Sequence, residues 1–160
     1  MGDPRTLAAR SALGLAQFLD GHPVESAALL EKVVADAERL AGPDHEQTRL
    51  ARDRLAKVWL SSGRVAEAVA LYERNYADHA RVLGEEHQET LIAQNNLAGA
   101  LLDAGQSARA IDMYTRNAAA RERLAERYPH VEFRLAEPLG PHPLLTEIVV
   151  QRAKDVTRDE

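Results

Sequence analysis

Arg54, Lys57 and Asn96 are the side chains of this sequence whose types and spacing could grip a ligand. Leu50, Arg54, Lys57 and Ser61 follow one another at spacings of 4, 3 and 4 residues, so on a helix they share one side. Ile92, Asn96, Gly99 and Asp103 repeat that spacing 42 residues further on. If the two stretches stack, Arg54, Lys57 and Asn96 become three converging donors on a wall with little aromatic surface, which suits a carboxylate or a peptide carbonyl. Asp53 and Asn95, one residue earlier, add an acceptor and a second amide. Arg54, Lys57, Asn95 and Asn96 are the principal contacts and Asp53, Asp103 and Trp59 secondary ones: Trp59 becomes a contact anchor if it is partly exposed on that wall, and inter-helix packing beside Leu55 and Leu60 if it is not. The competing reading is that Arg54 and Lys57 solvate an exposed face, with Asp53 as an ion-pair partner worth little.

Other polar residues recur at the same offset without forming a reactive set. Asn75 and Asn117 occupy one repeated position, where a buried amide must have its hydrogen bonds met, so they are read as structural contacts to a neighbouring helix. His45 and His87 also repeat, in turns. Equivalent atoms of stacked units lie on the order of 10 Å apart, too far for a shared metal, so both are assigned to bonding nearby backbone. His22, His79, His130 and His142 show no partner spacing. There is no glycine-rich phosphate loop, no His-Glu-x-x-His, no nucleophile elbow and no Cys-His pair, so catalysis, cofactors and resident metals are not expected.

Composition narrows the classes further. The formal net charge is −5, the wrong sign for a nucleic-acid module, which concentrates basic excess. With 45 % apolar but only 4 % aromatic residues, Leu, Ala and Val must carry the packing. The absence of cysteine removes disulfides and thiolate chemistry and leaves a cytoplasmic location as the expectation. No apolar run is long enough to span a bilayer, and the first residues lack a signal peptide's apolar stretch.

The elements that must position the candidate wall are written in a repeat. Thr48, Ala51, Leu55, Ala56, Gly63, Ala68 and Tyr72 fall on Thr90, Ala93, Leu97, Ala98, Gly105, Ala110 and Tyr114, an offset of 42 residues without a gap. The same offset backwards carries Thr6, Leu13, Gly14, Gly21 and Gly42 onto Thr48, Leu55, Ala56, Gly63 and Gly84. Self-similarity at this period marks a stacked array. Apolar residues at helical spacing predict two helices per unit, with Gly21, Gly63 and Gly105 closing the short turns and Pro23 opening a helix. The units are placed at about 6–47, 48–89 and 90–128. After Pro129 the period breaks. Residues 131–135 alternate like extended chain, prolines make 129–143 an irregular connector, and 144–156 should form a helix that caps the third unit.

Leu55-Ala56, Gly63, Glu67-Ala68, Leu71-Tyr72, Leu83-Gly84-Glu85-Glu86-His87, Thr90-Leu91 and Asn95-Asn96-Leu97-Ala98 together resemble the tetratricopeptide repeat. The likeness is to its 42-residue form, known from kinesin light chains and many bacterial proteins. It runs from Thr6 to about Leu124, and departs in lacking the early tryptophan, whose place Arg10, Arg52 and Gln94 hold. The resemblance implies an all-α, right-handed superhelical array whose concave wall is built from the first helix of each pair. It further implies a protein-interaction scaffold that takes an extended peptide or a helix of a partner, with Asn, Lys and Arg gripping its backbone or a carboxylate. An acidic or carboxylate-bearing protein or peptide is therefore the expected ligand, with no nucleic acid and no membrane. Rival readings are a self-association module forming homo-oligomers, and an excerpt of a larger bacterial regulatory assembly.

Overall fold

A computed structural model describes residues 4–127. The connector 129–143, the capping helix 144–156, the stretch 131–135, His130 and His142 lie outside the described residues. Six helices follow one another: α1 Pro4–Leu19, α2 Pro23–Ala41, α3 Glu46–Ser61, α4 Val65–Leu83, α5 Gln88–Asp103 and α6 Ser107–Arg127. Each packs on the next, and α1 also meets α3. The result is an all-α array of three hairpins, with no strand among the described residues.

The short turns form because a glycine sits where the chain must turn left-handed. Gly63 has φ +80° and Gly105 φ +72°, and just past them Arg64 N donates to the Trp59 carbonyl at 2.9 Å and Gln106 N to the Leu101 carbonyl at 2.8 Å. These bonds satisfy carbonyls that a helix end would leave bare. Between hairpins the turns are wider, and the repeated histidines start the following helices. His45 Nδ1 accepts from Gln47 N, and His87 Nδ1 from Glu89 N, each at 3.2 Å. In each case the ring nitrogen caps the first turn, as a side-chain oxygen does at the usual helix start.

The core is made of small patches between successive helices rather than one centre. Ala56, Val69, Tyr72, Leu97, Ala100, Leu101 and Ala110 form one cluster spanning the second and third hairpins. Leu7, Val33, Ala37 and Ala51 form another across the first and second. Where the repeat would carry tryptophan, Arg10 and Arg52 each reach an aspartate 26 residues ahead, Asp36 and Asp78, at 2.7 Å. Turn and helix are tied at one repeated offset as well: Arg81 pairs with Asp44 and Arg123 with Glu86.

The paired asparagines turn out unequal. Asn117 Nδ2 donates to the Leu91 carbonyl at 2.6 Å and to Gln94 Oε1 at 3.1 Å, the structural contact the repeat suggests. Asn75 is as deeply buried, yet neither of its amide atoms has a partner. One of the two partners has no equivalent there: the counterpart of Gln94 is Arg52, whose guanidinium is turned to Glu38 and Asp78.

Candidate functional site

The first helices of the hairpins, α1, α3 and α5, are joined by a repeated clasp. Arg54 Nη1 donates to Ser11 Oγ at 2.7 Å, and Asn96 Nδ2 donates to Asp53 Oδ1 at 2.9 Å. Both bonds link equivalent positions of successive hairpins. The spacing argument thus places Asp53, Arg54 and Asn96 on one face, as expected, but two of the four principal donors are engaged by the protein's own acceptors. Lys57 and Asn95, both half-buried, make no hydrogen bond or ion pair among the described residues. Asp103 is exposed at the end of α5, where after burial it is the second cause pushing the Tyr114 phenol up. Trp59 faces elsewhere. Its Nε1 donates to Glu31 on α2 at 3.1 Å, the Arg64 guanidinium lies 4.4 Å from its ring centroid, and it packs against Leu30, Leu55 and Val58. It therefore follows the packing alternative and is not among the residues brought together on the α1, α3 and α5 face.

Between α3 and α5 this face opens into a cavity of about 200 Å³. Helix α3 contributes Glu46, Arg49, Leu50 and Asp53 to it, α5 contributes Glu89, Ile92 and Ala93, and α4 contributes His79. Leu50 and Ile92, equivalent residues of successive hairpins, stand 45 % and 36 % exposed. Arg49 is buried; one of its Nη atoms donates to the Asp44 carbonyl, the other lies 3.8 Å from Glu89, and its Nε has no partner. His79, 9 % exposed, has Nδ1 2.7 Å from the Asn75 carbonyl. A carbonyl can only accept, so Nδ1 carries a proton and donates it to Asn75.

Sequence reasoning had Leu50 and Ile92 in the row but singled out neither, and it missed Arg49 and His79. His79 did carry a signal, since it follows Asn75 by four and Tyr72 by seven residues, on the buried side of α4.

Burial pushes the Asp53 carboxyl above the ordinary carboxylate range, against the opposing pull of the Asn96 hydrogen bond and of His79, Lys57 and Arg54. A raised folded-state pKa means that the native protein holds this proton longer than the unfolded chain does. Asp53 therefore costs stability progressively as pH rises from its unfolded pKa through the folded one, and the full cost persists above. Asp53→Asn can still accept the Asn96 bond without a charge to desolvate. It is expected to raise the thermal midpoint at about pH 7, and to raise it less on approaching about pH 3, where aspartate is protonated in both states. A variant less stable than wild type at neutral pH would contradict this account of Asp53.

Among the described residues no group of three or more His, Asp or Glu is arranged to hold a metal, and no helix is long and apolar enough to cross a membrane. Two tetratricopeptide-repeat models match the chain, over residues 6–47 and 54–123. A further model, CbiX, matches residues 93–156. It shares 93–123 with the second repeat model, a stretch that folds as α5, its turn and most of α6, and its part beyond 127 lies outside the described residues.

No curated protein matches the chain. Solved structures do. A Podosopora anserina protein of nearly identical TPR-like repeats, provisionally described as a kinesin light chain, is 29 % identical with a TM-score of 0.72, over 78 % of this chain and 59 % of that one. Its Q17M form gives the same identity and TM-score. BtubC (BKLC) from P. vanneervenii is 18 % identical with a TM-score of 0.71, over 77 % of this chain and 49 % of that one, a likeness of fold alone. The chain spans 49–59 % of the length of these structures.

Proposed function

This chain belongs to the tetratricopeptide-repeat family, in its kinesin-light-chain-like form, and from that premise we propose that it is a protein-interaction module. Its binding wall is the face of α1, α3 and α5, and the ligand is an extended segment or a helix of a partner protein. The observation that carries this reading is the cavity between α3 and α5, with the exposed aliphatic side chains of Leu50 and Ile92 at equivalent positions on its walls. A rim of two aliphatic residues around a polar floor suits an inserted side chain, and the period of the wall suits a ligand that runs from one hairpin to the next. Lys57 and Asn95 supply donors for the ligand's carbonyls, while Arg54 and Asn96 hold the wall together. The wall is consequently more mixed than one built for acids.

The test is a peptide-display selection on the full chain, followed by calorimetry with a selected peptide. Leu50→Ala combined with Ile92→Ala is expected to weaken that peptide by about 2–3 kcal/mol, the scale of two lost aliphatic contacts. Both positions are exposed, so folding should survive. Unchanged affinity in the folded double variant, or no peptide selected at all, would remove this wall as the binding face.

Self-association is the second reading, favoured by what the third hairpin leaves unpaired among the described residues. Asn95 is the position that in the two earlier hairpins receives a donor from the next one, and Ile111, whose counterpart Val69 is buried, is 37 % exposed. Light scattering across a concentration series separates this reading from a monomer.

A further inference from the structure

We infer that the cavity between α3, α4 and α5 is a socket for a basic side chain, a lysine or an arginine of the bound segment. The inference rests on the reading of the α1, α3 and α5 face as the binding wall and specifies what one position of the ligand must be.

Three observations lead to it. The first is charge. Glu46, Asp53 and Glu89 line the cavity against one guanidinium, that of Arg49, and the His79 ring, and Arg49 is already held by the Asp44 carbonyl and lies 3.8 Å from Glu89. The balance is negative, so a carboxylate entering here would meet like charges, and a cation would meet opposite ones. The other cations of the wall stand off: Arg54 is drawn to Ser11 on α1, and Lys57, a turn beyond Asp53, does not line the cavity.

The second is the hydrogen-bonding sense of the floor. Asn96 occupies one oxygen of Asp53 and leaves the other. His79, nine-tenths buried, spends Nδ1 on the Asn75 carbonyl, so that nitrogen is not offered to a ligand. The free oxygen of Asp53 calls for a donor-bearing head group, and ammonium and guanidinium carry donors without acceptors. An aliphatic side chain would desolvate that oxygen without satisfying it.

The third is shape. The volume is about 200 Å³, and its sides are Leu50, Ile92 and Ala93, aliphatic surface against which the methylene stem of a lysine or arginine can lie while its head reaches the polar floor.

The experiment titrates the full chain, labelled at leucine and isoleucine methyls and observed by NMR, with four blocked amino acids: the N-acetyl methylamides of lysine, arginine, norleucine and glutamate. Saturable shifts of the Leu50 and Ile92 methyls are expected from the lysine and arginine probes. They should weaken about tenfold with Asp53→Asn and also with added salt, and the glutamate probe should give none. Should Asp53→Asn not fold, Glu46→Gln with Glu89→Gln, changes at exposed side chains, takes its place with the same expectation. No saturable response to either basic probe, a norleucine response equal to that of lysine, or undiminished binding in the variants would overturn the socket. Because these probes are single residues, the result separates from the test of the wall. Probe binding without peptide loss in Leu50→Ala/Ile92→Ala keeps the socket and removes the wall as the partner site, and the reverse removes the socket alone.

Discussion

Replacing Arg52 with alanine is expected to cost about 3 kcal/mol of unfolding free energy, the scale for breaking a buried ion pair from one side. Its guanidinium is 0 % exposed. Nε and Nη2 donate to Glu38 Oε1 at 3.0 and 2.7 Å, and Nη1 donates to Asp78 Oδ2 at 2.7 Å and to the Pro43 carbonyl at 3.3 Å. Truncation would leave a void, an orphaned carbonyl and two weakened carboxylates. Those carboxylates keep a second partner each, Arg74 for Glu38 and Arg81 for Asp78, which holds the cost to the lower part of the usual range. The third hairpin contains the remedy, since it carries Gln94 and Ala120 where the second carries Arg52 and Asp78. Arg52→Gln with Asp78→Ala should therefore recover most of the loss. It removes Arg52 and Asp78 together and leaves Glu38 its ion pair with Arg74, and the introduced glutamine would offer Asn75 the acceptor that Gln94 gives Asn117. Denaturant midpoints decide: a double variant as unstable as Arg52→Ala would show that the two hairpins do not solve this position by exchangeable means.

That exchange also marks how far the sequence could be read. The period of 42, the helix pairs and the glycine turns were legible because each depends on local chemistry repeated in register. The missing tryptophan stood as an unexplained departure, although its explanation was also written in the repeat. Arg10 and Arg52 have an aspartate 26 residues ahead, whereas Gln94 has Ala120, so cation and anion come and go together. The candidate site was less legible. Spacing put Arg54 and Asn96 on the correct face, but whether a long polar side chain is free depends on how far the neighbouring helix stands from it. That lateral geometry is absent from a helical period. The same limit hid Arg49 and His79, whose burial against α5 is a property of the stacked pair and of neither helix alone. Trp59 sits on α3 beside the wall in sequence and yet meets Glu31 and Arg64.

Enlarging Ala56 or Ala98 to leucine should each cost about 1–3 kcal/mol by overpacking. Both are 0 % exposed, and Ala56 belongs to the cluster in which Val69 and Tyr72 of its own hairpin meet Leu97 and Leu101 of the next. The first hairpin shows how little room this position has. Its residue there is Gly14, where a single added Cβ would lie 2.7 Å from Leu30 Cγ and 2.8 Å from Leu30 Cδ2, closer than carbon atoms approach. Leu30 is itself fully buried and has nowhere to retreat without moving its helix. Leucine at either position adds three carbons beyond the alanine methyl, so close-packed neighbours must leave their rotamers or the helices must part. If they part at Ala56, which lies on α3, the separation is transmitted to the wall, because α3 carries Asp53, Arg54 and half of the cavity. Ala56→Leu is accordingly expected to lower the denaturation midpoint and also to weaken a wall-binding peptide. Ala98→Leu acts from α5, which brings Asn96 and Ile92, and should do the same. Midpoints unchanged in both variants would mean that these alanines do not set the approach of the helices, and an intact midpoint with lost binding would move the constraint from the core to the wall.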